Sequence, residues 1–408
     1  MKHLFLAAAV LAILLSCNKS KAEPDQGNPY KSLELNTKSA QFARQGHSFA
    51  FHFLEQVNAA EKGNFIISPL SMQFLLGMVL DGARGETANE ICRVLGYGVG
   101  EVDAVNEYCL SMLEQLPALD KKTTLSIANA IFVNEGCPLE KSYKSTVGKY
   151  YKAEVANLDF YSPSALKTIN GWASKQTNGM IPKVLEKVEP NMLAYLLNAL
   201  YFKSQWKEKF PKDATTEETF TSESGQKGSV RMMKQEKEFA YNENDIFQMV
   251  CMPYGNGAFS MYAFLPREKN SLADVIGALR KASWDDIRYD TVPCMVSLWL
   301  PKFEGKFHIK LNDILSQMGM PGAFDSMKAD FKAMSSLALC LSFVQQDAAI
   351  VVDEEGTEAA AVSVAGMEKA MAVAPGQRVD FHANRPFLYL ITESSTGAIL
   401  FAGKFTGK

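Results

Sequence analysis

One segment near the C-terminus, residues 353–365, fits neither an ordinary loop nor an ordinary buried strand. It reads Asp-Glu-Glu-Gly-Thr-Glu-Ala-Ala-Ala-Val-Ser-Val-Ala, and no proline follows until Pro375. Loops usually carry glycine, proline, asparagine and aspartate at their turns, whereas buried strands carry large β-branched or aromatic side chains. The composition therefore predicts a segment that is extended and exposed in one state and slides between two strands in another.

The small side chains of this segment alternate, so an extended chain would present them on one face. This face consists of Thr357, Ala359, Ala361 and Ser363. All of them are small and uncharged, and such a face can enter a packed interior without displacing much. Glu358 would lie on the opposite, solvent-facing side. The segment after Gly356 is therefore predicted to be able to become a strand of a sheet.

Several short motifs along the chain resemble those of one protein family. Residues 356–361, Gly-Thr-Glu-Ala-Ala-Ala, resemble the hinge of the serpins, the superfamily of serine protease inhibitors. Residues 384–389, Asn-Arg-Pro-Phe-Leu-Tyr, are similar to the signature that follows their reactive loop, and residues 82–87 resemble the turn before their fourth helix. The resemblance covers the chain from about residue 40 to its end. Further similar motifs, in the family's order, are residues 64–71, 198–206, 300–303 and 399–403.

The hydrophobic pattern indicates an α+β protein, with helices in the first third and strands in the remainder. The predicted helices are residues 39–60, 70–80 and 103–116. The predicted strands are residues 125–133, 194–203, 248–265, 292–303, 343–352 and 386–403. The resemblance implies the serpin fold, with three β-sheets, about eight to nine helices and an exposed reactive-centre loop.

The N-terminus has the pattern of a secretory leader. Residues 4–15 form an apolar run that is too short to span a bilayer and ends in Leu-Leu-Ser before Cys17. This ending resembles the lipobox of bacterial lipoproteins, although an ordinary signal peptide with a chance cysteine is an alternative. We therefore predict a signal peptide over residues 1–16, a lipidated Cys17 with a flexible tether over residues 17–38, and one domain over residues 39–408.

This leader predicts a protein of the bacterial cell envelope, anchored by lipid in the outer membrane on the periplasmic or the outer side, or else secreted. Membrane contact would occur through the lipid alone, and we expect a monomer. The formal net charge of −3 does not indicate a nucleic-acid partner. Six cysteines remain beyond Cys17, far apart and without metal-site spacing, so we interpret them as buried free thiols and expect no metal or cofactor.

The sequence contains no recognisable catalytic motif, so we do not expect an enzyme. It has no zinc-protease helix motif, no nucleophile elbow and no phosphate-binding glycine loop. Asp353, Glu354 and Glu355 could suggest an acid/base pair, but such a run is also typical of a polar strand end.

The resemblance assigns two structural sites to this chain. At the breach, where the reactive loop first inserts, it implies that Glu354 pairs with Lys302 near Trp206. The shutter, under the middle of the central sheet, maps to Ser68, Ser71, Asn198 and Gln346. The family usually has a histidine where this chain has Gln346. Glutamine can donate and accept hydrogen bonds but does not titrate.

The resemblance also implies the position of the reactive bond, fourteen residues after the hinge glycine. Counting from Gly356 places it between Ala370 and Met371. A small residue there suits elastase-like or subtilisin-like proteases, whereas Lys369 would suit a trypsin-like protease as a secondary site. The loop is about five residues longer than is typical, and we assign the extra length to residues 374–377, after the bond.

These features favour a suicide-type inhibitor of serine endopeptidases, with cysteine endopeptidases as a second target class. In this mechanism the protease forms an acyl-enzyme at the reactive bond and is trapped when the cleaved loop inserts into the central sheet. One alternative is a non-inhibitory serpin that acts as a substrate, carrier or chaperone. Another is a lipid-anchored lipoprotein that binds a ligand.

Overall fold

The computed structural model describes residues 27–357 and 378–407. These residues contain nine α-helices: α1 (Thr37–Ala60), α2 (Pro69–Gly82), α3 (Gly85–Leu95), α4 (Val102–Gln115), α5 (Lys141–Tyr150), α6 (Pro163–Gln176), α7 (Leu272–Lys281), α8 (Trp284–Tyr289) and α9 (Asn312–Met318). No helix in these two ranges is long and apolar enough to cross a membrane.

The described residues also form fifteen strands, which lie mostly in the second half of the chain. They are β1 (Phe65–Ile67), β2 (Thr124–Asn134), β3 (Glu154–Leu158), β4 (Ala194–Gln205), β5 (Thr216–Thr221), β6 (Lys227–Glu243), β7 (Phe247–Tyr254), β8 (Phe259–Pro266), β9 (Val292–Pro301), β10 (Phe303–Lys310), β11 (Gln345–Val352), β12 (Gly356–Thr357), β13 (Arg378–His382), β14 (Phe387–Glu393) and β15 (Ile399–Phe405).

The strands form two hydrogen-bonded sheets. One has six strands in the order β10-β11-β12-β4-β2-β3. The other has nine, in the order β1-β15-β14-β8-β7-β6-β9-β13, with β5 paired to β6. The 17-residue strand β6 pairs with β9 along most of its length and with β7 at its end, so it links two of the three sheets that we expected. The predicted α+β fold is confirmed.

Helix α2 lies between the two sheets and positions the shutter residues. Its apolar side chains are buried on every face, and it contacts both β4 and β15. Ser68 caps its N-terminus by accepting a hydrogen bond from the backbone of Ser71, and Pro69 occupies the first turn. The cap thus places both serines at the end of α2, beneath the six-stranded sheet.

Two local predictions differ from the structure. The turn at residues 82–87 precedes α3, the third described helix, because that helix begins at Gly85, directly after α2. Residues 27–36 are packed against the domain, so the expected flexible tether is wrong for this part. The Asn28 side chain is buried, donates to Asp120 Oδ1 at 2.7 Å and accepts from the backbone of Lys121. Residues 17–26 lie outside the described residues.

Candidate functional site

Strands β4 and β11 of the six-stranded sheet are joined at one end only. There, Gly356 of β12 pairs with Gln205 of β4, and Thr357 pairs with both Ser204 of β4 and Val352 of β11. Below β12, no other strand of the described residues lies between β4 and β11. At the far end, a cavity of about 200 Å³ is lined largely by apolar residues from α2, the start of β4 and the segment that leads into β11. The described residues therefore leave a gap in the sheet between β4 and β11.

Gly356 allows the hinge to approach β4 closely. A Cβ atom at this position would lie 2.1 Å from the backbone oxygen of Ser204 and 2.7 Å from Cα of Gln205. Neither backbone atom can move without disturbing the pairing of β4. Glycine is therefore required by the close contact between the two strands.

Thr357 is the first residue whose side chain points into the interior from the gap. It is 2% exposed, and its Oγ1 lies 2.6 Å from Tyr254 Oη. The Tyr254 ring stacks on Trp206 with a centroid distance of 4.4 Å, and Trp206 Nε1 donates to the backbone oxygen of Asp353 at 2.8 Å. Two aromatic rings thus hold the start of the hinge from below.

The predicted breach residues lie together at this end of the gap. Lys302 Nζ lies 2.9 Å from Glu354 Oε2, and Thr215 Oγ1 donates to Glu354 Oε1 at 3.0 Å. Burial by itself would raise the pKa of Glu354, but the hydrogen bonds from Lys302, its own backbone and Thr215 outweigh that effect and lower the pKa. The ionised form of Glu354 is therefore favoured beside the hinge.

Glu355 forms ion pairs with two other lysines. Its carboxylate lies 2.7 Å from Lys209 Nζ and 3.0 Å from Lys212 Nζ, and the hydrogen bonds from both lysines lower the pKa of Glu355. Since each carboxylate is neutralised by its own lysines, the geometry favours a polar strand end over an acid/base pair. No local sequence pattern connects the hinge with Lys209, Lys212, Thr215 or Tyr254, so these residues could not be predicted.

The structure also brings the four shutter residues together. Gln346 pairs with the backbone of Ser68 through both ends of its amide, at 2.8 and 2.9 Å. Ser68 Oγ donates to the backbone oxygen of Leu400 at 2.6 Å, and Ser71 Oγ hydrogen-bonds Asn198 Oδ1. These contacts tie α2 to both edges of the gap and to the nine-stranded sheet. Their role in opening the sheet stays a prediction.

A hydrogen-bond chain extends from the shutter and was not predicted. Asn198 Nδ2 donates to Asn129, and Asn129 Nδ2 donates to the backbone oxygen of Tyr151, both at 2.7 Å. Tyr151 Oη then donates to Asn106, whose Nδ2 donates to Asp81 Oδ1 at 2.8 Å. Burial raises the pKa of Asp81 to about 7. A carboxyl group that titrates near neutrality is thus connected with the shutter.

Some predicted site residues lie outside the described residues. These are Cys17, Ala359, Ala361, Ser363, Lys369, Ala370 and Met371. In the part that the structure describes, no group of histidine, cysteine and acidic side chains could hold a metal ion. The six cysteines found there are free, and all except Cys340 are buried.

A sheet with such a gap, and a glycine hinge at the end where β12 joins the two strands, defines a protein class whose central sheet can accept a further strand. The family model for serpins, described as serine protease inhibitors, matches residues 44–407. The chain belongs to the serpin family.

Individual relatives agree with this assignment. The chain is 34% identical over 376 residues to the leukocyte elastase inhibitor of Xenopus tropicalis, covering 88% of this chain and 97% of that one. It is similar to the native state of the thermophilic serpin tengpin, with a TM-score of 0.83, 30% identity and coverage of 93% and 97%. It is also similar to thyroxine-binding globulin in complex with thyroxine, with a TM-score of 0.80, 26% identity and coverage of 90% and 99%.

Proposed function

We propose that this protein is a suicide-type inhibitor of serine endopeptidases that traps the acyl-enzyme by inserting its cleaved loop between β4 and β11. The observation that carries the proposal is the gap that the described residues leave between β4 and β11, whose joined end holds Gly356 and Thr357 in strand pairing. The chain direction of β12 is antiparallel to both neighbours, so the residues after Thr357 can continue along both edges.

If the register of β12 continues, each inserting residue lies opposite one residue of β4 and one residue of β11. Thr357 lies between Ser204 of β4 and Val352 of β11. Because both pairings are antiparallel, each residue after Thr357 would lie opposite the preceding residue of β4 and of β11. Ser363 would then lie between Asn198 and Gln346, the two shutter residues at the edges of the gap. A small hydroxyl side chain suits that polar position, which supports insertion as the function of the alternating face.

The free energy of insertion is large enough to do work on a bound protease. The gap accepts about ten further residues before β4 ends at Ala194. With about 1 kcal/mol net for each backbone hydrogen bond, the new strand gains on the order of ten kcal/mol. This equals the entire stability of an ordinary domain, about 5–15 kcal/mol. Such a gain can distort a protease that remains tethered to the loop.

For the target we propose elastase-like or subtilisin-like serine proteases, cleaving between Ala370 and Met371, with a trypsin-like cut after Lys369 as a secondary event. The small side chain of Ala370 supports this choice. The relative that is named a leukocyte elastase inhibitor adds support. The similarity to a thyroxine complex favours a carrier role as the second candidate.

An assay with pancreatic elastase separates these functions. An inhibitor yields an SDS-resistant adduct and a stoichiometry close to one inhibitor per enzyme. A carrier or substrate yields cleaved protein and fully active enzyme, with no adduct. Subtilisin and trypsin serve as parallel targets. The absence of an adduct with all three proteases, despite cleavage in the loop, would contradict the inhibitory function.

A further inference from the structure

The cavity of about 200 Å³ lies at the far end of the gap between β4 and β11, away from the end that β12 joins. Its wall is formed by Leu75 and Val79 of α2, by the first residues of β4 and by residues 338–345, which lead into β11. The lining is mostly apolar. Protein interiors are packed to nearly the density of organic crystals, so an apolar cavity of this size is unusual. The sheet thus leaves space for an apolar side chain at this point.

The register of β12 brings one residue of the reactive loop to this cavity. Thr357 pairs antiparallel with both β4 and β11, so a loop residue ten positions later would lie opposite the residues ten positions earlier on those strands. That loop residue is Met367, and the residues opposite it are Ala194 and Ser342. Both of them line the cavity. Met367 is therefore the loop residue that insertion would place at its mouth.

The Met367 side chain would also point to the inner side of the sheet. Thr357 points into the interior, and every second residue of an extended strand shares one face, so Met367 belongs to the same face as Thr357. Helix α2 lies on this inner side, and its cavity residues Leu75 and Val79 are both buried. Register and alternation thus direct the same side chain toward the cavity.

The sizes of the inward-facing loop residues match the space beneath the gap. Before Met367, this face carries only small residues, namely Thr357, Ala359, Ala361, Ser363 and Ala365. Where Ser363 would lie, between Asn198 and Gln346, the adjoining cavity has a volume of only about 30 Å³. The space widens to about 200 Å³ at the position of Met367, the first large side chain. Methionine has three rotatable bonds and a polarizable thioether, so it adapts well to an irregular apolar cavity.

We infer that this cavity is the docking site of the Met367 side chain, and that Met367 fixes the far end of the inserted loop. Met367 reaches the cavity only by insertion, so this role rests on the inhibitory function proposed above. Filling the cavity would remove apolar surface from water at the point where the new strand ends. The inserted state would be stabilised there, and the uncleaved state would not. Met367 would therefore act after cleavage, as a positioning residue of the inserted strand.

The test compares the thermal unfolding of uncleaved and elastase-cleaved protein, in guanidinium chloride if the cleaved form does not melt in buffer. Mass spectrometry first confirms that the cut lies beyond Met367. Cleavage should raise the melting temperature of the wild type. Met367→Ala should lower the melting temperature of the cleaved form by a few degrees and leave that of the uncleaved form unchanged. Met367→Leu, of similar volume, should retain most of the gain, and Met327→Ala, at a methionine that is 91% exposed, is the matched control and should change neither form.

Cys340 provides a second measurement, because it lines the same cavity and is the one cysteine of the described residues that is not buried. Alkylation of Cys340 by N-ethylmaleimide should slow when the wild type is cleaved, since Met367 would cover the thiol, and should slow less in cleaved Met367→Ala. If the wild type gains stability on cleavage, but Met367→Ala gains as much and protects Cys340 equally, the role of Met367 is wrong and the inhibitory function stands. If cleavage gives the wild type no gain in stability, both are wrong.

Discussion

The hydroxyl oxygen of Thr357 lies 2.6 Å from that of Tyr254, so the first inward-facing residue of the hinge is held by the residue that ends β7. Tyr254 also stacks on Trp206, whose indole binds the backbone of Asp353. The hinge is thus fixed in strand geometry at the joined end of the gap, and the Thr357 side chain already points into the interior.

We predict that Thr357→Arg converts the inhibitor into a substrate. The arginine would have to enter the closing sheet beside Tyr254, and an unpaired buried charge costs several kcal/mol. Insertion would slow while acylation at Ala370 continues, so deacylation would release active protease. The stoichiometry of inhibition measures this outcome and should rise at least fivefold. Thr357→Val, which is neutral and of similar size, is the control and should still inhibit; an equal rise in both variants would point to general loss of fold.

Replacement of Lys302 by methionine should destabilise the breach in a pH-dependent way. Loss of its hydrogen bond to buried Glu354 should cost roughly 1.5–3 kcal/mol at pH 7. Because the folded-state pKa of Glu354 lies below its ordinary value of 4.5, the stabilisation is present above that pH and is lost as the pH falls through the lowered pKa. Thermal unfolding at pH 7 and pH 3.5 should show a difference from wild type that shrinks in acid. Lys310→Met should show no such dependence.

Asp81 should make the fold less stable as the pH rises. Its pKa is raised from 3.8 to about 7, so the unfolded chain loses this proton first, and stability falls between about pH 4 and pH 7. We expect Asp81→Asn to raise the melting temperature at pH 8 relative to wild type, and to raise it less or not at all at pH 4. The exposed Asp103→Asn is the comparison variant. A pH-independent effect of Asp81→Asn would show that Asp81 is ionised throughout.

Cleavage by elastase should occur between Ala370 and Met371. Mass spectrometry of the C-terminal peptide, released after adduct formation, identifies its first residue. We expect Met371 with elastase and Ala370 with trypsin. A first residue outside positions 370–372 would show that the extra loop length precedes the bond rather than follows it.

Lipidation of Cys17 is predicted to anchor the protein. Expressed with its leader in a bacterial host, the wild type should fractionate with membranes and Cys17→Ser should be released. Cys340→Ser, at a cysteine of the folded domain, is the control and should remain bound. Membrane association that survives in Cys17→Ser would contradict lipid anchoring, whereas release of the wild type as well would favour an ordinary signal peptide.

Local features of this protein were determined by its sequence. A serine followed by proline is a typical helix start, and Ser68-Pro69 begins α2. Glycine and asparagine are typical of tight turns, and Gly255-Asn256-Gly257 connects β7 and β8. The alternation of small side chains after Gly356 predicted a face that can insert into the sheet. Thr357, the one residue of this face that the structure describes, points inward. Capping, turns and side-chain alternation depend on neighbouring residues, so they can be predicted from the residues alone.

Only the tertiary structure decided which distant residues meet. Tyr254 and Thr357 are 103 positions apart, and Asp81 is linked to the shutter through residues from several separate elements, including both the hydroxyl and the backbone oxygen of Tyr151. These contacts depend on strand register and on how α2 packs between the sheets, and a shift of one residue in a strand would turn each side chain to the other face. The contacts of residues 27–36 with the domain arise in the same way, since they join segments that no local pattern connects.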